Sequence, residues 1–125
     1  MGQGNGSAMA LTLLICLFLI QSGMAQARVY TVGDAQGWTF NVTSWTRGKI
    51  FRAGDVLAFN YPVKAHNVVA LWTNKVAYNW CLKTRGSKVY QTGKDRIKLV
   101  KGDNFFMCSF PGHCKAGMKI AIKAL

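Results

Sequence analysis

One short run of the sequence carries three side chains of the types that bind soft metal ions. Cys108, His113 and Met118 stand five residues apart and supply a thiolate, an imidazole and a thioether. The chain has 2 histidines, and the other one is His66. Two histidines, one cysteine and a weak axial methionine form the ligand set of mononuclear copper sites that move single electrons. The residue types therefore predict a copper site held by these four side chains.

The local pattern brings the three clustered residues within reach of one another. Pro111-Gly112 suits the centre of a tight turn, because proline pre-sets φ at the first central position and glycine permits a positive φ at the next. Such a turn folds His113 back toward the strand that carries Cys108. From Met118 onward apolar and polar residues alternate, so the Met118 side chain is expected to point inward from a strand.

Each of these residues also has an ordinary structural interpretation. An inward methionine, or a histidine beside an apolar strand, usually belongs to the core, and Cys108 and Cys114 are alternative disulfide partners. One cysteine with two histidines also suits zinc. Copper is favoured because one compact loop supplies three different donor types and the other histidine completes the set.

The N-terminal segment indicates export. Residues 8–20 are almost wholly apolar but too short to span a membrane comfortably, and the small-residue motif Ala25-Gln26-Ala27 follows them. The sequence therefore predicts a secretory signal peptide over residues 1–27 and one domain over residues 28–125. The alternative is an uncleaved anchor helix, since residues 1–7 carry no Lys or Arg, unlike most signal peptides.

The number of cysteines is consistent with the same site. Removal of the signal peptide takes away Cys16 and leaves three cysteines in an oxidising compartment, where thiols tend to pair. If His113 faces the metal, the adjacent Cys114 is expected to point away from it. Cys114 would then pair with Cys81, and Cys108 would remain as the metal thiolate. A Cys108–Cys114 disulfide is the alternative.

The composition describes a small and strongly basic domain. Removal of residues 1–27 from the 125-residue chain leaves 98 residues, enough for one hydrophobic core. The chain carries 16 Lys and Arg against 4 acidic residues, and its net charge of +12 predicts attraction to polyanions. The basic residues are scattered, and an exported protein is a poor partner for nucleic acid. No hydrophobic tail follows the domain, so no lipid anchor is expected.

Short apolar or alternating segments, separated by turns rich in Gly, Asp and Pro, predict an all-β sandwich or barrel. One or two short helices are expected, over residues 41–47 and 75–80. The predicted strands cover residues 29–32, 56–61, 68–72, 97–100, 104–108 and 118–122.

A set of short motifs also spans the whole predicted domain. The motifs are Val29-Tyr-Thr-Val-Gly-Asp34, Gly37-Trp-Thr-Phe-Asn41, Ala53-Gly-Asp-Val-Leu57, Phe59-Asn-Tyr61, Ala65-His-Asn-Val-Val69, Gly93-Lys-Asp95, Leu99-Val-Lys-Gly102 and Cys108-Ser-Phe-Pro-Gly-His-Cys-Lys-Ala-Gly-Met118. Together they resemble the phytocyanin family of plants. The high isoelectric point and the lack of a Pro/Ser-rich stalk are most similar to its plantacyanin, or basic blue protein, branch.

The resemblance implies a Greek-key cupredoxin-like sandwich with one type 1 copper ion near one end, bound by the four ligands named above. It also implies a Cys81–Cys114 disulfide. In related cupredoxins the Asn after the first ligand His joins the two ligand loops by hydrogen bonds, which here implies that role for Asn67. Met118 at the axial position argues against the stellacyanin-like branch, which has Gln there.

The function that follows from such a site is electron transfer. Thiolate and thioether ligands stabilise Cu(I) while imidazoles suit both oxidation states, so the site changes state with little rearrangement. Four protein ligands leave no open position for a substrate, so we expect no catalysis. His113, beside the exposed turn, is the expected electron port. The alternative is an extracellular binding or signalling protein of plant reproductive tissue, in which copper is structural or redox-sensing.

The expected location is the plant apoplast or cell wall, where acidic polysaccharide is the natural polyanion. We expect a monomer with no nucleic-acid partner and no membrane anchor, which exchanges electrons with a redox partner that the sequence does not identify. A merely solvated surface is the alternative explanation of the basic residues. The triplet Asn41-Val42-Thr43 matches an N-glycosylation site.

One stretch departs from the family pattern. Between His66 and Cys81 the sequence looks longer and more aromatic than is usual, with Trp72 and Trp80 as its unusual residues. The ligand histidine and the cysteine are both present, so the site is expected to persist. The surface near the copper, and with it the choice of partner, is expected to differ.

Overall fold

The computed structural model describes residues 26–125, so the predicted signal peptide lies outside the described residues except for Gln26 and Ala27. No helix of the described part is long and apolar enough to cross a membrane. The strands of this part are β1 (Val29–Thr31), β2 (Val56–Asn60), β3 (Val68–Trp72), β4 (Lys88–Tyr90), β5 (Lys94–Lys98), β6 (Gly102–Met107) and β7 (Lys119–Ala124). The α-helix is α1 (Lys75–Trp80), and two 3₁₀ helices cover Asp34–Gln36 and Thr43–Thr46.

The strands form two sheets. In the first sheet β1 pairs in parallel with β2, and β2 pairs antiparallel with β5. The second sheet has the order β4-β3-β6-β7, and all its pairs are antiparallel. A bridge between Phe51 and Ala124 links the segment before β2 to the end of β7. The predicted all-β sandwich is confirmed.

The main core fills the space between the two sheets. Side chains point alternately to the two faces of a strand, and Leu57 and Phe59 of β2 are among those that point inward. Trp38 packs edge-on against Phe59, with ring centroids 5.0 Å apart. Cys108 and Met118 belong to the same buried cluster. Two of the predicted ligands are therefore part of the packing that holds the sheets together.

The second sheet is buried on its outer face as well, because α1 covers it. Val69 of β3 and Phe105 of β6 pack there with Ala77 and Tyr78 of α1 and with Cys114. The rings of Tyr78 and Phe105 are stacked with centroids 5.0 Å apart. A strand covered on both faces is a continuous apolar run rather than an alternating one, which is the pattern of β3.

Cys81 and Cys114 form the disulfide, with their Cα atoms 5.8 Å apart. Cys108 is a buried free cysteine. Cys114 packs in the outer cluster against α1, whereas Cys108 packs in the main core. The predicted pairing is confirmed, and the alternative Cys108–Cys114 disulfide is wrong.

Most predicted elements match, and two strands differ for identifiable reasons. β5 lies over Lys94–Lys98 rather than 97–100, because Asp95 occupies an inward position that a hydrophobic pattern assigns to apolar residues. β4 was not predicted, since it has 3 residues and none of them is fully buried. The other strands depart from their predicted bounds by at most two residues at either end, and α1 has its predicted bounds.

The atypical aromatic segment folds into the end of β3 and into α1. Trp72 has a φ of 54° at an irregularity in the β3–β6 pairing, and its ring packs against the main core. The side chain of Asn74 caps α1 by accepting the N–H of Ala77 at 3.0 Å. Cys81 follows the last helical residue as the C-cap, and its φ of 54° is left-handed. Trp80 is left 72% exposed on the surface.

Candidate metal centre

Three of the four predicted ligands meet with their donor atoms close together. The Nδ1 atoms of His66 and His113 are 3.1 Å apart, and Nδ1 of His113 lies 3.6 Å from Sγ of Cys108. His66, Cys108 and His113 each offer one donor atom, and these three atoms all lie within 4.8 Å of one another. Bonds from imidazole and thiolate ligands to zinc are about 2.0–2.3 Å long, so donors this close fit around one metal ion of similar size.

The loop that carries three of the ligands is a series of hydrogen-bonded turns. The N–H of His113 donates to the carbonyl of Phe110 at 3.1 Å, which closes the predicted turn, and Gly112 has a φ of 79°. The N–H of Met118 donates to the carbonyl of His113 at 3.1 Å, and the N–H of Cys108 donates to the carbonyl of Met118 at 3.0 Å. The backbones of these three residues are thus directly connected.

Met118 is fully buried, as its alternating pattern predicts. Its side chain belongs to the main core cluster that also contains Cys108. Its backbone is hydrogen-bonded to the backbones of both Cys108 and His113, so its side chain branches from the chain next to these two residues. Its role as an axial ligand stays a prediction.

Asn67 joins the two ligand-bearing segments. Its Oδ1 accepts the N–H of Ser109 at 2.8 Å, and its Nδ2 donates to Oγ of Ser109 at 2.8 Å. Its carbonyl accepts the indole N–H of Trp38 at 2.8 Å. Asn67 follows His66 and Ser109 follows Cys108, so these bonds act on the residues next to two of the donors.

Aromatic rings cover the two imidazoles. The ring of Phe40 lies 4.7 Å from that of His113 and 5.4 Å from that of His66, measured between centroids, while Phe40 itself is 43% exposed. Phe110 lies 5.5 Å from His113, and Tyr61 lies 6.4 Å from His66. These rings limit the access of water to the donor atoms.

Burial shifts the pKa values of two groups around the site, His66 and Tyr61, toward their neutral forms. It lowers the pKa of the His66 imidazole below its usual value, and the neighbouring His113 lowers this pKa further. Neutral imidazole is the form that binds metal ions. The phenol of Tyr61 donates to the buried carboxylate of Asp95, and burial together with this bond raises the pKa of Tyr61.

Known proteins share both this fold and these donors. Residues 35–118 match the family described as the plastocyanin-like domain. The chain is 49% identical over 126 residues to a basic blue protein of Arabidopsis thaliana, across 99% of this chain and 96% of the relative. Its structure is similar to that of cucumber basic protein, a blue copper protein, with a TM-score of 0.75 and 55% identity over 78% of this chain and 99% of that one. This chain belongs to the phytocyanin family.

A further relative of this phytocyanin is the chemocyanin of Lilium longiflorum, which is 46% identical over 127 residues and 99% of both chains. Membership of the family establishes the class of cofactor, which is copper. It also places the chain among electron-transfer proteins rather than enzymes.

Three residues that contact the site are not indicated by any periodic pattern in the sequence. Trp38 and Phe40 come from the loop before β2, and Ser109 is a single polar residue in the ligand loop. The aromatic residues of the motif over residues 37–41 are the only local hint of their importance. Long-range packing, rather than a local pattern, brings these side chains to the site.

The glycosylation triplet lies beside the ligand loop. Asn41 is exposed and has a φ of 57°, and its N–H donates to the carbonyl of Ala116 at 3.1 Å. The N–H of Val42 donates to the carbonyl of Gly117 at 3.0 Å. The side chain is therefore accessible, although its backbone is fixed. Glycosylation of Asn41 stays a prediction.

We expect Asn67→Ala to destabilise the metal-free protein by about 1–3 kcal/mol, because the N–H of Ser109 would lose its partner in a site with little water. Ser109→Ala is the matched control, since it removes only the bond from Nδ2 of Asn67 and should cost less. Urea denaturation measures both changes. Equal losses in the two variants would show that the backbone bond contributes nothing of its own.

The metal-free protein should lose stability as the pH falls below about 6.5. The pKa of His66 is lowered in the folded state, so in this pH range the unfolded chain binds a proton at His66 more readily than the folded chain does. Acid therefore favours unfolding. His66→Gln, which does not titrate, should show a flatter pH dependence in denaturant titrations. Identical slopes in the two proteins would contradict this origin of the acid sensitivity.

Proposed function

We propose that this chain is a secreted blue-copper protein that carries single electrons through one type 1 site in the plant extracellular matrix. The observation that supports it best is the meeting of a buried free thiol with two imidazole nitrogens. The other cysteines of the described part are paired with each other. In an oxidising compartment a remaining thiol calls for an explanation, and metal binding supplies one.

In this proposal copper would be held by Nδ1 of His66, Nδ1 of His113, Sγ of Cys108 and the thioether of Met118. The three closest donor groups are two imidazoles and one thiol, with no carboxylate among them. Soft thiolate and borderline imidazole ligands are the types that copper prefers. When bound, copper supplies a one-electron Cu(II)/Cu(I) couple. The contribution of the chain is to keep the donors at fixed positions and to exclude water from them.

Fixed donors lower the cost of each electron transfer, and the chain holds them from three directions. The bonds between Asn67 and Ser109 connect the two ligand segments. The turn that ends at His113 is closed by its own backbone hydrogen bonds. The disulfide attaches Cys114, the residue next to His113, to the end of α1. Each restraint acts on a residue that is a ligand or adjoins one.

His113 is the proposed electron port. It is half-buried, it follows the exposed Pro111-Gly112 turn, and its ring contacts the exposed ring of Phe40. A redox partner that docks on this end of the protein meets the imidazole edge without entering the core. The core position of Cys108, by contrast, keeps the thiolate away from such a partner.

Two observations support export with cleavage after Ala27. A disulfide suits an oxidising compartment. The backbone N–H of Arg28 donates to Oδ1 of Asp55 at 3.0 Å, and Asp55 is only 4% exposed. The N–H of Arg52 donates to the second oxygen of this carboxylate at 2.9 Å. Cleavage would convert the nitrogen of Arg28 into a charged amino group that faces a buried carboxylate.

Copper loading of the chain from Arg28 onward tests the central proposal. With Cu(II) it should show the intense blue thiolate-to-copper absorption band and the narrow hyperfine splitting of type 1 sites. Cys108→Ser should lose the band but keep the circular dichroism of the folded protein and the Cys81–Cys114 disulfide. A colourless protein, or a pale one with square-planar copper, would reject the proposal.

The axial position is tested by the reduction potential. Met118→Gln should keep the blue colour but lower the potential, because a harder oxygen donor favours Cu(II). Met118→Leu should raise the potential by removing the axial donor. Voltammetry of the three proteins measures the order. Three equal potentials would leave Met118 with a packing role alone.

The chain that begins at Arg28 should be more stable than one that retains Gln26-Ala27, by roughly 1 kcal/mol, because its amino group pairs with Asp55. Asp55→Asn should abolish the difference between the two chains. Denaturation at a pH where the amino group is charged measures it. Mass spectrometry of the secreted protein should find Arg28 first, and another N-terminus would contradict the cleavage site.

A further inference from the structure

An exposed tryptophan lies beside the ligand loop. Trp80 is the last residue of α1 and is 72% exposed. The next residue, Cys81, is bonded through the disulfide to Cys114, which adjoins His113. The covalent connection places Trp80 near the end of the molecule that carries the metal centre.

The fold itself does not use the ring of Trp80. Lysine ammonium groups lie 4.5–4.9 Å over the rings of Trp45, Tyr78 and Tyr90. Within residues 26–125 no lysine, arginine or second aromatic ring packs on Trp80 in this way. Tryptophan is enriched at interfaces, where its large ring packs against a binding partner.

A groove runs between the segment after α1 and the ligand loop. Its volume is about 260 Å³, and the disulfide of Cys81 and Cys114 lies along it. Lys83 lines it from the segment after α1, and Lys115 and Pro111 line it from the ligand loop. Two positively charged residues thus border one groove from opposite sides.

Among residues 26–125, no carboxylate lines the groove beside these lysines. Residues 73–88 and 108–118, which form both sides of the groove, contain neither Asp nor Glu. Two of the 4 acidic residues, Asp55 and Asp95, are buried and hydrogen-bonded elsewhere. The chemistry of the surface therefore calls for an occupant with a flat apolar face and with negative charge beside it.

We propose that the groove bordered by Lys83 and Lys115, together with the exposed Trp80 that precedes its lining residue Cys81, forms a binding site for a polyuronate chain, which we call the uronate surface. The proposal rests on the proposed export, since such polysaccharides lie outside the cell. A uronate ring presents C–H bonds on one face, which pack on an aromatic ring, and it carries a carboxylate at its edge. Linked uronates repeat this pair, so one unit stacks on Trp80 while the carboxylates of its neighbours meet the lysines. An acidic peptide has the charge but not the rigid apolar face.

The apolar half of the site is tested with one variant and a matched control. A decamer of α-1,4-linked galacturonate is titrated into the copper-loaded and the metal-free protein by calorimetry. Trp80→Ala should weaken binding about threefold to tenfold, the range expected for loss of one aromatic packing partner. Ile50→Ala, at an apolar residue 66% exposed elsewhere on the surface, should leave the affinity unchanged.

The charged half is tested with two pairs of substitutions that remove the same net charge. Lys83→Gln with Lys115→Gln should weaken binding by about fivefold or more. Lys101→Gln with Lys123→Gln, at exposed positions outside the groove, should weaken it less than about twofold. A fully methyl-esterified decamer, which keeps the rings but loses the charge, should bind far more weakly to the unaltered protein.

Two results would overturn the proposal. If both lysine pairs weaken binding equally and Trp80→Ala has no effect, the polyanion is held by net charge without a site. If a decamer of aspartate binds as tightly as the uronate, the surface recognises acidic peptide rather than sugar. Copper-loaded and metal-free protein should bind the uronate alike. Failure of the blue band therefore rejects the electron carrier alone, and failure of uronate binding rejects the surface alone.

Discussion

The two hydrogen bonds between Asn67 and Ser109 are the constraint on which the metal centre depends. β3 starts directly after Asn67, and β6 ends shortly before Ser109, so these bonds continue the pairing of two adjacent strands past the edge of the sheet. Trp38 connects the same point to the other sheet: its indole N–H donates to Asn67, and its backbone N–H donates to Asn60 at the end of β2 at 2.9 Å. Both sheets are therefore hydrogen-bonded to the buried residue Asn67. The packing of the two sheets thus fixes the positions of the neighbouring donor residues.

The second sheet separates two tasks between its faces. Its inner face contributes to the main core, where Cys108 and Met118 are packed. Its outer face is covered by α1 and holds the disulfide partner Cys114. The metal centre thus rests on the largest apolar cluster, while the helix and the disulfide steady the loop from outside. Of the two unusual residues of the aromatic segment, Trp72 packs against the main core and Trp80 is exposed at the end of α1, and the ligand group is intact beside both.

The sequence predicted those features that depend on local chemistry. In the ligand loop, neighbouring residues indicate the turn, the inward methionine and the roles of the cysteines. The sequence pattern of β3 and that of α1 each run without interruption over the whole element. It failed where an inward position is polar: Asp95 is buried in β5 because Tyr61 and Thr92 donate hydrogen bonds to it, and no hydrophobic pattern shows that. The placement of Phe40 over the imidazoles was also hidden, since it depends on how the loop before β2 folds across the sandwich.

The separation of the free thiol from the disulfide bears on how the protein matures. Thiol–disulfide exchange requires a thiolate that reaches a sulfur atom of the bridge. Cys108 is a fully buried free thiol of the main core, whereas Cys114 of the bridge packs in the outer cluster, so burial of the thiol limits its attack on the bridge. The disulfide and the free thiol therefore coexist in the same fold. A folded, metal-free protein with its bridge complete thus keeps the Cys108 thiol buried and available as a copper ligand.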